Sequence, residues 1–350
     1  MITAGYVAGR QRNAPRRQCG AATLLFGLLL LMGAAVLSFT TARTGVMEQR
    51  IANNEVRTIE AQQAAQAGLE YALAWLGKNH WDTGDATPTP PVLTDVNGFS
   101  YSSSLAFSET SGYIEARATS QATTDASITA KAAQYVQQNT LLSGPGAAAD
   151  PLVVDGCMGG GPGGITGNPD VFPENWNGGS PGVAIATSQD SSCIDEGHMN
   201  LHGGSIRDNA FSGETWEHLF DISKAEFQAL AANNTSSDHG FHWITSSANW
   251  HADMGSPSQP AFLAFDASAG CVKFNGNPTI YGIIYFEDGS GCLSQGWGGA
   301  TVYGTVAFEG GLDKFNANTE LYHWSEGNGS DDDFNPVLSA TRIPGTWRDW

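Results

Sequence analysis

The residues best suited to chemistry come in small groups. His198 and His202 are four apart, and His239 and His242 are three apart. Either spacing puts two imidazoles on one face of a helix, as a zinc site requires. Gly197, Gly203, Gly204 and Gly240 surround them, so both pairs read as loop histidines, and no cysteine or acid completes a ligand set. Asp331, Asp332 and Asp333, near Glu326 and Asn328, form an acidic stretch. It lacks the Asp-x-Asp-x-Asp-Gly order of a calcium hand and reads as a solvated turn. Paired carboxylates can hydrolyse glycans, but with 35 acidic residues some pair always has a suitable spacing. Neither a Gly-x-Ser-x-Gly nucleophile elbow nor a phosphate-cradling Gly-x-x-x-x-Gly-Lys is expected. The expectation is a protein with no catalytic residue, no metal site and no cofactor.

The charge balance narrows the partners. Of 16 basic residues, Arg10, Arg12, Arg16 and Arg17 lie before Ala21, leaving 12 against 35 acidic ones, a body of −23. Such a body is unsuited to a nucleic-acid backbone, which needs clustered Lys and Arg. Low charge content and 43 glycines suit a β-rich exported chain. The cysteines are Cys19, Cys157, Cys193, Cys271 and Cys292. Without Cys19 the number is even, and four can form two disulfides in an oxidising compartment.

The elements that must carry these residues begin with Ala21 to Ala42, 22 residues without a charge. As a helix they span ~33 Å, enough for a hydrocarbon core of ~30 Å. The preceding arginines orient the N-terminus toward the cytoplasm. Three readings compete: a signal peptide cut near Thr40-Thr41-Ala42, a signal anchor that is never cut, or a leader cut between Gly20 and Ala21 that leaves the apolar helix in place. The third removes Cys19 and all four early arginines.

No proline occurs between Pro15 and Pro88. Ala61, Ala65, Gly68, Leu69, Ala72, Leu73 and Leu76 recur at three- and four-residue steps, a helical stripe of small residues that a partner surface can approach closely. A helix from Ala21 to Asn79 is ~88 Å long. A bend or local melting is expected near Gly45. A coiled-coil stalk is disfavoured, because large residues do not recur at 3.5-residue spacing.

Residues 16–80 resemble the N-terminal segment of PilX-type minor pilins of type IV pili. The likeness rests on the Arg-Arg-Gln-Cys-Gly20 leader, the Arg50-x-x-x-Asn54 element and the run from Ala64 and Ala65 to Gly68 and Leu69; Gln66 departs from the family's usual acid. "IPGTWRDW" at the C-terminus resembles the family's ending. The resemblance implies cleavage after Gly20 by a prepilin peptidase, N-methylation of Ala21 and incorporation into a fibre. Most pilins carry a glutamate at mature position five that neutralises a neighbour's terminal amine. Here that position is Leu25, which fits a tip or initiating subunit better than the abundant shaft subunit.

"DATPTPPV" from Asp85 ends the helix. Alternation at Phe99–Phe107, Ile114–Ala118 and Ala126–Val136 predicts an antiparallel meander over residues 81–140, packed on the Ala/Gly stripe. "LLSGPGAAAD" at 141–150 reads as a linker, and 141–350 as a separate Gly-rich β domain. "TIYGIIYFEDG" from Thr279 and "TVYGTVAFEGG" from Thr301 match at an offset of 22, and "TGNPDVF" from Thr166 echoes "NGNPTIY" from Asn275. Such periods suggest stacked solenoid coils. Cys271 and Cys292 are about one repeat apart, which pairs them and leaves Cys157 with Cys193, one of three possible connectivities. Ile222–Ala231 reads as a helix with Ser223 and Glu226 as a capping box.

The sequence therefore predicts an α+β fold: leader 1–20, helix 21–80 with its membrane half at 21–42, meander 81–140, and a β-rich, solenoid-like domain 141–350. The expected role is a minor pilin that primes type IV pilus assembly and stays near the tip. Its expected place is the bacterial inner membrane, with a periplasmic body that later joins the extracellular pilus. Expected partners are other minor pilins, the major pilin, prepilin peptidase, the inner membrane and a large tip adhesin, with no nucleic acid. The alternatives are a type II secretion tip pseudopilin and, in a different class, a membrane-tethered glycan-active β-solenoid enzyme.

Overall fold

The computed structural model describes residues 19–94, 98–143, 150–158, 168–195, 197, 199–246, 249–270, 272–289, 298–312, 318–327 and 331–350. Helix α1 (Cys19–Leu76) has 58 residues and a length of ~87 Å. It is unbroken at Gly45, where melting was expected. A glycine there costs only ~1 kcal/mol, less than the backbone hydrogen bonds a break would forfeit.

The last four turns of α1 lie on an antiparallel sheet. Its strands are β1 (Leu93–Thr94), β2 (Ser100–Thr110), β3 (Tyr113–Ala122) and β4 (Asp125–Thr140). Ser111 and Gly112, with φ of 54° and 77°, make the tight β2–β3 turn, whose hand matches strand twist. Ile114, Ala116, Ala118, Ala132 and Val136 face Ala61, Ala65, Leu69, Ala72 and Leu76 of α1, and all are buried.

The second unit is a stack of parallel strands: β5 (Leu152–Val154), β6 (Asp170–Phe172), β7 (Val183–Thr187), β8 (Ser205–Arg207), β9 (Gly240–Ile244), β10 (Ala261–Phe265), β11 (Thr279–Phe286), β12 (Thr301–Phe308) and β13 (Glu320–Tyr322). The order runs β8-β7-β5-β12-β11-β10-β9, while β13 joins β12 to β6. Repeat lies on repeat: Thr279 pairs with Thr301 and Phe286 with Phe308. The described end of the second echo, Asp170–Phe172, also falls in register, through Phe172, Tyr322, Tyr303 and Tyr281.

Both faces of this sheet are apolar, as parallel sheets require. Inside, Phe265, Phe286 and Phe308 stack at 4.8 and 5.0 Å between ring centres. Outside, Ile283, Tyr285 and Ala307 are covered by Trp216 and Leu219 of α2 (Thr215–Leu219), Phe227 of α3 (Lys224–Asn233), Trp324, and Phe334 of α4 (Asp331–Phe334). Ser223 and Glu226 form the capping box of α3.

Two boundaries differ from the sequence reading. Residues 141–150 do not begin as a free linker: Leu141 and Leu142 are buried, because the outer layer of the solenoid needs apolar cover there. The C-terminal strands also leave the second unit. β14 (Val337–Arg342) and β15 (Arg348–Asp349) both pair antiparallel with β4. The solenoid is thus an insertion between two neighbouring strands of the first sheet. At the neck, Leu141 N–H donates to Pro336 O (3.1 Å) and Leu142 N–H to Asn335 Oδ1 (2.8 Å).

The Tyr-Gly step of each repeat tests the stacking. Gly282 and Gly304 have φ of 137° and 140°, and a Cβ on Gly304 would collide with the Gly282 carbonyl. Gly304→Ala should lower stability by about 3 kcal/mol or more in urea unfolding of the full chain in detergent micelles. Gly310→Ala, at φ 82° in open space, should cost about 1 kcal/mol.

Candidate functional site: a half-free helix and the body it carries

Helix α1 has two halves with opposite environments. From Ala22 to Ile59 nearly every side chain is exposed; Leu24, Leu31 and Phe39 are 74%, 73% and 71% accessible. A rod this apolar is unstable in water, so it requires lipid or protein around it. It is long and apolar enough to cross a membrane. Gly20 and Ala21 fall in its first turn. Leu25 is exposed among leucines, so this position needs no partner for a carboxylate. Thr40 and Thr44 satisfy their own hydroxyls, donating to Leu37 O and Thr40 O at 2.9 Å. Arg50 and Asn54 are exposed.

From Ala61 onward the stripe meets the chain's own sheet. Ala64, Ala65, Gly68 and Leu69 are buried, while Gln66 points to solvent. A Cβ on Gly68 would lie 3.2 Å from Ser103 Cβ and 3.3 Å from Ala118 Cβ. Its absence lets Ser103 Oγ donate to Ala64 O at 3.2 Å. Polar contacts clasp the margins. Tyr101 OH donates to Glu60 at 2.6 Å, and burial, then Glu60, pushes the phenol up to about 12. Arg57 pairs with Asp125 at 3.3 Å and lies over Phe99. Arg342 pairs with Glu70, and Gln62 donates to Asp349. Gln138 Nε2 donates to Leu76 O (2.6 Å) and Asn79 O (2.8 Å), satisfying carbonyls at the helix end.

The solenoid holds a polar cluster that the sequence reading did not single out. Lys224 Nζ lies 2.9 Å from Glu287 and 3.6 Å from both Glu309 and Glu214. Glu287 and Glu309 occupy equivalent places in the repeat, so the repeat itself signalled two carboxylates on adjacent coils; nothing in the sequence signalled Lys224. One ammonium cannot neutralise three acids. Burial works against the Lys224 charge, but the Glu287 hydrogen bond and the other carboxylates outweigh it and raise its pKa. Burial pushes the Glu309 carboxyl up to about 7 against Lys224's pull, and Tyr285 OH donates to it. Burial likewise raises Asp150 to about 6, opposed by Arg207, its ion-pair partner.

The other candidate residues do not converge. His202 stacks on Phe172 at 4.0 Å and pairs with Asp170 at 2.8 Å. His239 lies in a loop beside Ser236 and Asp238, and His242 lies in β9, its pKa lowered by burial. Gly178 to Gly182 spells Gly-x-Ser-x-Gly, but Ser180 sits in an exposed turn before β7 and makes no strand-to-helix elbow. Among the described residues no group of three or more His, Cys, Asp or Glu is placed to hold a metal ion. Cys157 and Cys193 are disulfide-bonded. Cys271, Cys292 and His198 lie outside the described residues, as do the side chains of Asp331 and Asp332.

No protein-family model matches the chain, and no curated protein does. Among solved structures it is similar to the competence-associated pilin ComZ from Thermus thermophilus, at 10% identity over 84% of this chain and 97% of that one. The TM-score is 0.29.

Two outcomes follow. Gly68→Leu should force α1 off its sheet and cost about 3 kcal/mol, read as a lowered melting temperature and faster proteolysis within β2 to β4. Gly68→Ala should stay within about 1 kcal/mol, since helix propensity offsets the crowding. The second concerns pH. The folded chain keeps a proton on Glu309 up to about 7, whereas the unfolded chain releases it near 4.5. Stability should therefore fall as pH rises from 4.5 to 7, by about 1–2 kcal/mol from this group after solvent screening. Glu309→Gln should flatten that slope in urea titrations across this range.

Proposed function

We propose that this chain is a minor pilin of PilX type. It primes type IV pilus assembly and stays at or near the tip. The observation that carries this reading is the division of α1 into an exposed apolar half and a half clasped to its own sheet. The free half is held in the inner membrane with its N-terminus in the cytoplasm. It then transfers into the helical core of a fibre, trading one apolar surrounding for another. Prepilin peptidase cuts between Gly20 and Ala21. Leu25 supports the terminal position, because a subunit with nothing ahead of it has no amine to neutralise.

The role is structural and not enzymatic. The inserted solenoid is a displayed module, carried on two adjacent strands of the first sheet. It contacts other minor pilins or an adhesin, while α1 contacts the major pilin below.

Three measurements test the reading. The mature protein should begin at Ala21, N-methylated, and Gly20→Glu should leave it uncut. A mature start at Arg43 would defeat the proposal, because the rod would be discarded. Deletion of the chain should sharply lower pilus number on the cell surface. If deletion instead blocks protein secretion and spares pili, the chain is a type II secretion tip pseudopilin. If it spares both and the purified chain cleaves a polysaccharide, the glycan-active reading wins.

A further inference from the structure

The sheet face turned away from α1 is neither apolar nor acidic, in a chain that is both. Antiparallel register puts directly opposed residues on one side of the sheet. Arg117 opposes Ala133, which opposes Arg348; Thr119 opposes Lys131, whose backbone exchanges hydrogen bonds with Trp350; Glu115 opposes Tyr135. Period-two alternation agrees, since Asp349, between Arg348 and Trp350, points the other way and meets Gln62 of α1. Three of the twelve basic residues after Ala21 therefore share this small face.

Their only carboxylate partner among the described residues of the patch is Glu115. It is buried and receives Arg348 at 2.6 Å and Arg117 at 3.2 Å. The Arg117 and Arg348 side chains remain 45% and 49% exposed, and Lys131 is exposed. The patch thus keeps an excess of positive charge on a −23 body. Aromatic rings stiffen it. Arg348 lies 5.5 Å over Tyr135 and 5.7 Å over Trp350, and Arg117 lies 6.0 Å over Trp350, which is 55% exposed. Arg, Trp and Tyr brought together on an exposed face are the composition of a protein-interface centre. Stacking on rings lowers the entropy lost when the guanidinium groups meet carboxylates.

We propose that this face is the docking site for an acidic surface of a neighbouring pilus subunit, recognised by Arg117, Lys131 and Arg348 around Trp350. It names the surface behind the partner contact in the function proposed above, and rests on that function. Arg, Trp and Tyr are the residues enriched at protein-interface centres, which favours a protein over a glycan chain. The excess charge selects an acidic partner and repels a second copy's own patch.

The test uses the full-length chain in pilus-forming cells that lack their natural copy. Thr119, in the row of Lys131 and Trp350, is replaced by p-benzoyl-phenylalanine, and irradiated cells are searched for a crosslink by mass spectrometry. The expected product joins this chain to another pilin. In an Arg117→Glu, Lys131→Glu, Arg348→Glu background its yield should fall about tenfold or more. The charge-conserving Arg117→Lys, Arg348→Lys pair should retain it, which separates lost attraction from misfolding. A yield unchanged by charge reversal, or no crosslink to any pilin, overturns the proposal. So does a reversal that abolishes retention on immobilised heparin but leaves the crosslink intact, since the patch would then read an anionic glycan. The N-terminal sequence is determined on the same samples: a start at Ala21 with no crosslink sinks only the docking face, whereas a start elsewhere sinks the pilin reading itself.

Discussion

Close contact between one helix and one sheet governs this molecule. At Gly68 the backbone of α1 approaches so near that Ser103 reaches a helix carbonyl. Small residues on both sides, Ala61, Ala65 and Ala72 against Ala116, Ala118 and Ala132, let helix and sheet approach closely along a seam. Such a seam gains little apolar area per residue, so its stability rests on closeness and on the polar clasp at its margins. Because the seam and its polar clasp stop at Arg57, nearly every side chain before it is left without cover. The apolar rod is a consequence of where the seam ends as much as of its own composition.

The solenoid solves a different problem. Its strands are too short to be stable singly, and they bury apolar side chains on both faces. Stacking fills the inside with aligned phenylalanines, while α2, α3, α4 and the buried Leu141 and Leu142 cover the outside. Aligned repeats also align their charges. Glu287 and Glu309 fall on neighbouring coils, and Lys224 from α3 is the cation between them. Geometry gives Glu287 the close contact and leaves Glu309 to hold a proton near neutrality.

Attachment through two adjacent strands has a mechanical meaning. A module hung on one flexible segment would move independently. Here β4 leads out and β14 returns beside it, hydrogen-bonded at the neck, so two paired strands join the solenoid to the sheet.

Periodicity made most of the elements legible in the sequence. The three meander strands, the capping box of α3, the 22-residue repeat and the long helix are local patterns, and local patterns survive without knowledge of distant partners. The uncharged run and Leu25 are also plain in the sequence, because lack of charge over 22 residues is a property of composition alone. What the sequence left open was which surfaces meet. It could not tell that Leu141 and Leu142 would be core and not linker, or that residues 337–349 would return to β4. Nor could it bring Lys224 to Glu309, or Arg117, Lys131 and Arg348 onto one face. Those pairings join residues tens to hundreds of positions apart, and only the folded packing, which weighs buried area against chain entropy over the whole molecule, selects among them.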